Sequence, residues 1–366
     1  MRIFQLILAP RLSGAEMLVK GIAIDHQQSG HSVCIASLLP AHGDFAPSAG
    51  ELAAHRVTCV FPSRHYEKLG RLLFLYRAIR RFKPDVIFAH ATIPALYVRA
   101  LPVRVPIVWV MHSGVNDFQD NRLQRAERLL SLRAKAVIGV SQKNVDEYRS
   151  AIGGHPALIV VPNGVDAERF RHRESVRGPR GEACSTSAGA LAVRATKLIV
   201  QIGRYIAEKG QLDTVRAFKK VLDVEPASRL LLCGVIEDVA YHAQVRALVD
   251  ELGLASHVDV KGPQTNVAEI LAGSSVYAMP SRFEAHSIGF LEALASGIPI
   301  VANTIAAFAF AREWPGVQLI ETGDIDRYAG ALAAALGEPR AQRPLDGLTL
   351  EDTAERYLDI ARQVIG

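Results

Sequence analysis

Short apolar runs alternate with amphipathic segments along this chain, and the alternation stops once and then begins again. Runs of strand length stand at 3–8, 32–37, 57–61, 85–88, 106–111, 136–140 and 157–161, and helical periodicity fills most of the gaps, as at 15–28 and 144–152. Parallel neighbours need a crossover long enough to hold a helix, so this pattern predicts a parallel sheet covered on both faces. Residues 171–196, RHRESVRGPRGEACSTSAGALAVRAT, break the rhythm; rich in Arg, Gly, Ser and Ala, they read as a linker or exposed loop. Strands resume at 197–202, 229–233, 258–260, 276–279, 298–302 and 317–320, with helices at 209–222, 241–252, 288–296, 324–336 and 350–365. The expected fold is α/β: two Rossmann-like doubly wound domains, 1–170 and 197–349, facing an interdomain cleft, followed by a last helix within 350–366.

Composition removes several alternatives. A chain of 366 residues exceeds one ordinary core, and 49% hydrophobic with 22% charged residues excludes global disorder. No apolar stretch approaches the roughly 18–20 residues of a membrane span. The run at 3–8 is too short for a signal-peptide core and reads as a first strand. Cys34, Cys59, Cys184 and Cys233 lie far apart with no CxxC pair, which argues against a disulfide framework or zinc module and for a reducing, cytoplasmic setting.

The net charge of +5 is unevenly spread: residues 1–170 hold 21 Lys and Arg against 13 Asp and Glu, and the remainder 21 against 24. A front half at +8 suggests that one domain faces an anionic surface or substrate. The cations concentrate in two predicted helices, 67–82 and 118–133, among leucines and aromatics. Such helices can lie on an anionic membrane, and they equally suit ordinary packing with a solvated basic face. No recognition module accompanies the charge, so nucleic acid is not an expected partner.

Both halves open with a strand, a Gly-bearing turn and a helix. Gly14 permits close backbone approach in the first; in the second, Gly203-Arg204 and Lys209-Gly210 leave the opening strand. A cation at a helix start opposes the macrodipole unless an anion is shared, so Arg204 and Lys209 suit a diphosphate, with a solvated loop pair as the plainer reading. Glu284 and Glu292 stand eight residues apart. On one helix that spacing is about 12 Å, beyond the roughly 5–9.5 Å of glycosidase acid pairs. They fit two grips on one extended ligand better than hydrolysis.

Glu284, seven residues, Glu292 and the following Ala-Leu-Ala-Ser-Gly-Ile-Pro-Ile-Val resemble the signature of retaining GT-B glycosyltransferases of family 4 (glycosyl transferases group 1). Gly203-Arg204 through Lys209-Gly210 resembles that family's diphosphate element, and Val161-Pro162-Asn163-Gly164-Val165-Asp166 the stretch before its interdomain linker. Lys83-Pro84-Asp85-Val86-Ile87 and Gly139-Val140-Ser141 add to a likeness covering nearly the whole chain. The resemblance implies that Arg204 and Lys209 bind the donor diphosphate, Gly14 lets the front loop close on it, and backbone amides around Ser287, Ile288 and Gly289 lie near sugar and phosphate. Glu284 and His286 would meet the sugar, and Glu292 the ribose. His112 matches a histidine near the donor sugar, and with Glu284 it is the catalytic candidate. His90 is a second candidate, lining the acceptor side or simply packing.

The resemblance further implies transfer with retention, without metal or cofactor, from a UDP- or GDP-sugar to a lipid-linked or polysaccharide acceptor, in lipopolysaccharide or exopolysaccharide assembly. The enzyme would be cytoplasmic, peripheral at the inner membrane face, and its last helix would cross back to the front domain. Three stretches depart from the family pattern. Ala285, His286 and Ser287 replace Gly-Phe-Gly; 304–308 replaces Gly-Gly-x-Pro-Glu; and Val235-Ile236 follows Gly234 where a second Gly is usual. The alternatives are a nucleotide-sugar epimerase of the same fold and a non-catalytic nucleotide-sugar-binding scaffold. Base recognition is expected near 262–267.

Overall fold

A computed structural model describes residues 1–112, 118, 120–171 and 197–366. The expected linker, apart from Arg171, lies outside the described residues, as do Cys184 and residues 113 and 114 beyond His112.

Two parallel sheets form from the two runs of alternation. The first comprises β1 (Arg2–Ile7), β2 (Ser32–Ser37), β3 (Thr58–Val60), β4 (Val86–His90), β5 (Ile107–Met111), β6 (Ala136–Gly139) and β7 (Leu158–Val160). The second comprises β8 (Leu198–Ile202), β9 (Arg229–Cys233), β10 (Val258–Lys261), β11 (Val276–Met279), β12 (Ile300–Asn303) and β13 (Val317–Ile320). Strands β4 and β5 are buried along their whole length, which is why they read as unbroken apolar runs rather than as two-residue alternation.

The strand orders are β3-β2-β1-β4-β5-β6-β7 and β10-β9-β8-β11-β12-β13. Each order reverses direction once, between β1 and β4 and between β8 and β11. At such a reversal neighbouring crossovers run to opposite faces and leave a crevice beyond the carboxyl ends of the strands. Helices α1 (Gly14–Gln28), α2 (Ala46–Ala54), α3 (Lys68–Phe82), α4 (Thr92–Ala100), α5 (Asn121–Leu130) and α6 (Gln142–Ala151) cover the first sheet. Helices α7 (Ala167–Phe170), α8 (Gln211–Val224), α9 (Val239–Glu251), α10 (Val267–Gly273), α11 (Ile288–Ser296) and α12 (Ile325–Ala335) accompany the second. Helices 46–54, 92–100 and 267–273 carry no start signal that the sequence reading used.

The last helix, α13 (Leu350–Ile365), belongs to the first sheet's core. Thr349 and Asp352 close a capping box at its start, and its apolar face then buries Tyr357, Leu358 and Ala361 against α1 and β4. Tyr357 stacks on Phe88 with centroids 5.1 Å apart, and His26 Nε2–H donates to the Ala354 carbonyl at 2.9 Å. The chain thus passes between domains twice, and the passages run side by side: Val165 N–H donates to the Leu348 carbonyl and Leu350 N–H to the Val165 carbonyl, both at 2.9 Å. Gly164 stands where they touch. A Cβ there would lie 1.9 Å from the Thr349 oxygen, so no other residue fits.

Helices α3 and α5 flank α4 in one layer. Leu69, Leu73 and Leu129 are exposed on them, with Leu132 in the turn just after α5, beside exposed Arg77, Arg80, Arg125 and Arg128. Under this surface Arg99 and Glu127 form a fully buried ion pair. Tyr148 donates its hydroxyl proton to Glu127 at 3.0 Å, and the Arg99 guanidinium lies 4.9 Å from the Trp109 ring centre.

Candidate active site

The loops beyond both topological reversals open on one cavity of about 320 Å³. Gly14 follows β1, His90 ends β4, Arg204 follows β8 and Glu284 follows β11, so each side of each crevice supplies a residue. The cavity brings together Gly14, His90, His112, Arg204, Lys209, Glu284, His286, Ser287, Ile288, Gly289 and Glu292, every residue singled out from the sequence. Residues 262–267 are not among its lining.

Two helix N-termini converge here from opposite domains. A Cβ on Gly14, the first residue of α1, would lie 3.2 Å from Cβ of Ile288, the first residue of α11. Ser287 caps α11, accepting from the Phe290 amide at 3.4 Å. Unpaired amides and aligned peptide dipoles at both ends favour an anion between them.

Lys209 pairs with Glu284, both side chains largely buried. Lys209 sits in a 3₁₀ turn, Ala207–Lys209, and α8 begins two residues later, so the cation precedes the helix instead of opening it. The turn is held from both sides: Gln201 Nε2 donates to the Lys209 carbonyl at 2.7 Å, and Arg282 N–H donates to the Glu208 carbonyl at 2.8 Å. The second bond ties the Glu284 loop to the Lys209 turn, fixing the pair across 75 residues of sequence.

Two histidines at neighbouring strand ends of the first domain, His90 and His112, form a relay. His112 Nε2 lies 2.9 Å from His90 Nδ1, and His90 Nε2 lies 2.7 Å from Gln5 Oε1. The rings stack with centroids 5.2 Å apart. With Gln5 oxygen accepting from His90 Nε2–H, His90 Nδ1 must accept from His112 Nε2–H, which leaves His112 Nδ1 as a lone-pair acceptor. Both nitrogens of His90 are engaged, so its hydrogen-bonding capacity goes to positioning. Burial pushes His112 down to about 4 and His90 well below the usual histidine range, where the neighbouring His112 adds to the effect. Both rings are neutral near neutrality.

His286 is also held neutral by burial, at about 4. Its carbonyl accepts from Asn163 Nδ2 at 2.8 Å, fastening the loop after β11 to the interdomain crossing. The divergent stretch after β12 turns apolar: Phe308 is buried and stacks on Phe290 at 4.4 Å, and Phe310 stacks on His286 at 5.9 Å. Glu292, inside α11, borders both this cavity and a second of about 300 Å³ beside the crossing. Burial raises its carboxyl to about 7, with Arg169 opposing.

Several participants escaped the sequence reading. Arg11 stands in the turn after β1 and Glu16 in the first turn of α1, where burial raises its carboxyl against the lowering effects of the Ser13 hydroxyl and Arg11. Glu237 holds Arg204 at 2.8 and 2.9 Å. Arg11 follows the opening strand of its sheet as Arg204 does, a positional signal that would have found it. Nothing in the spacing marks Glu237 or Gln5, and Asn163 stands in the 161–166 stretch without a role assigned to it there.

The sequence pattern of the family described as Glycosyltransferase Family 4 matches residues 12–169, and that of Glycosyl transferases group 1 matches 190–344. A GDP-mannose-dependent monoacylated alpha-(1-6)-phosphatidylinositol monomannoside mannosyltransferase of Corynebacterium glutamicum is 27% identical over 55% of this chain. A UDP-Gal:alpha-D-GlcNAc-diphosphoundecaprenol alpha-1,3-galactosyltransferase of Escherichia coli is 23% identical over 71%. The matched stretches span 52% of the first relative's length and 68% of the second's. The solved structure of Anabaena HepE in complex with UDP-glucose superimposes with a TM-score of 0.75 at 19% identity, covering 100% of this chain and 98% of that one. The likeness extends to the fold of both domains.

Proposed function

Because the chain belongs to the GT-B glycosyltransferases of family 4 and group 1, we propose that it transfers a sugar, with retention and without a metal, from a nucleoside-diphosphate sugar to a lipid-linked or polysaccharide acceptor. One observation carries the reading: the topological reversals of two separate sheets open on a single cavity where Arg204, Lys209 and two helix N-termini meet. That combination suits a diphosphate spanning the cleft.

In this reading Arg204, Lys209 and the α1 and α11 amides stabilise charge on the departing diphosphate, the largest electrostatic demand of the reaction. The bond from the anomeric carbon to the phosphate oxygen breaks, and the acceptor oxygen forms its bond on the same face. The acceptor proton passes to the leaving phosphate. Glu284 and His286 hold sugar hydroxyls, His112 offers Nδ1 to another, and Glu292 receives the ribose hydroxyls. The phosphatidylinositol mannoside and diphosphoundecaprenol acceptors of the mannosyl- and galactosyltransferase relatives support a lipid-linked acceptor. Exposed leucines and arginines on α3 and α5 support docking at an anionic membrane, at the cytoplasmic face where nucleotide sugars are made.

A thermal-shift panel of UDP, GDP, ADP and their sugars in EDTA tests the donor site. A ligand at 100 times its dissociation constant adds about 2.7 kcal/mol. Stabilisation by one nucleotide family is expected; none by any, with or without magnesium, refutes the reading. NMR of the product's anomeric proton then reports retention or inversion. Consumption of donor without acceptor would point to epimerisation, and binding without turnover over an acceptor panel to a scaffold.

A further inference from the structure

We propose that Glu237 and the donor diphosphate compete for the same two guanidiniums, Arg204 of the second domain and Arg11 of the first. Arg11 is thereby a third cation for the leaving group, and Glu237 sets how tightly the donor is held. The inference rests on the donor reading above.

Glu237 meets Arg204 Nη1 with both carboxylate oxygens, and its Oε2 lies 3.6 Å from Arg11 Nη1. Both arginines line the cavity, whereas Glu237 stands outside the lining, at the rim. Arg11 has a second carboxylate 3.7 Å from its Nε, that of Glu16. Two guanidiniums therefore face two carboxylates, and Lys209 is matched by Glu284. The cations around the cavity are balanced from within, so a diphosphate gains their full attraction only where a carboxylate gives way.

Burial decides which one. The Glu284 side chain is 9% exposed and fixed by Lys209. The Glu16 side chain is 10% exposed and receives the Ser13 hydroxyl. Glu237 is 36% exposed, with water as an alternative partner. Its backbone cannot follow: Tyr205 N–H donates to the Val235 carbonyl at 2.8 Å and Asp238 N–H to the Tyr205 carbonyl at 3.0 Å, pinning the chain on both sides of residue 237. Only the side chain is left to turn, from the cleft toward solvent. Because the two guanidiniums come from opposite domains, a diphosphate that replaces the carboxylate also joins the domains.

Isothermal titration of UDP and GDP, with uridine and guanosine as uncharged controls, tests this on the full chain. Glu237→Gln keeps the shape and removes the charge. It should tighten nucleoside diphosphate binding about fivefold, the equivalent of one exposed ion pair of about 1 kcal/mol, and leave nucleoside binding unchanged. Arg11→Gln should weaken the diphosphates about tenfold, the scale of one charge-assisted hydrogen bond, and should shrink the gain from Glu237→Gln when the two are combined. Binding by Glu237→Gln that is unchanged or weaker means that Glu237 steadies Arg204, and overturns the competition. Unchanged binding by Arg11→Gln overturns the third cation. If the wild-type chain binds no nucleoside diphosphate, the donor reading falls and this inference with it.

Discussion

Replacing Glu292 by Gln separates what this side chain does for a ligand from what it costs the fold. Burial raises its carboxyl from an ordinary 4.5 to about 7, and Arg169 offsets only part of that. The sign follows from linkage. Below about pH 4.5 folded and unfolded chains both hold the proton, and the group contributes nothing to the pH dependence. As pH climbs toward 7 the unfolded chain releases its proton first, so stability is lost; above 7 the loss is complete. At about 1.4 kcal/mol per pH unit the ceiling is about 3 kcal/mol, and partial access to solvent brings the expectation to about 2 kcal/mol. Glutamine resembles the neutral carboxyl in shape and never ionises. In urea unfolding, Glu292→Gln should match the wild type near pH 4.5 and exceed it by about 2 kcal/mol at pH 8, while binding of nucleotide through its ribose falls. Equal stability at pH 8, or the same gain at both pH values, would refute the buried-carboxylate reasoning.

Other expectations concern separate parts of the molecule. Arg99→Met strands the buried Glu127 carboxylate and should cost about 3–5 kcal/mol of stability in denaturant unfolding; a loss under 1 kcal/mol would mean that water reaches the site. Nitrogen NMR of labelled histidines should find His112 protonated on Nε2. Gln5→Leu should disturb that signature while Gln5→Glu, which can only accept, preserves it; an Nδ1–H His112 in the wild type would reverse the relay. Gly14→Val should press on Ile288 and weaken nucleotide binding, with partial recovery in a Gly14→Val, Ile288→Ala double variant. His26, His112 and His286, each held near 4 when folded, take up protons on unfolding, so stability should fall as pH drops from 6.5 toward 4. A flat urea midpoint for Glu292→Gln across that window would contradict their burial.

Elements whose character is local are legible in the sequence. The helices read at 288–296 and 350–365 stand at those positions, because an apolar period and a cap are written into consecutive residues. The two parallel sheets followed from alternation for the same reason. The helices at 46–54 and 92–100 escaped because their start signals are weak: each N-cap, Phe45 and Ala91, lacks a side-chain cap bond. The sequence pattern starts a helix at Lys209, whereas α8 begins two residues later at Gln211, since helix ends turn on capping geometry that composition does not encode.

By itself, then, the sequence determined most of the strands and the longer helices, that they form two doubly wound units, and which residues stand at the strand ends. Tertiary structure alone decided the company those residues keep. Glu284 lies beside Lys209, Glu237 between Arg204 and Arg11, and His112 behind His90 and Gln5, across separations from 22 to 85 residues within a domain and across the cleft between domains. Hydrophobic period is a property of neighbours along the chain. The partner of a charge or an imidazole depends on which strand ends the sheet order sets side by side, and on how closely two domains approach through residues such as Gly14 and Gly164.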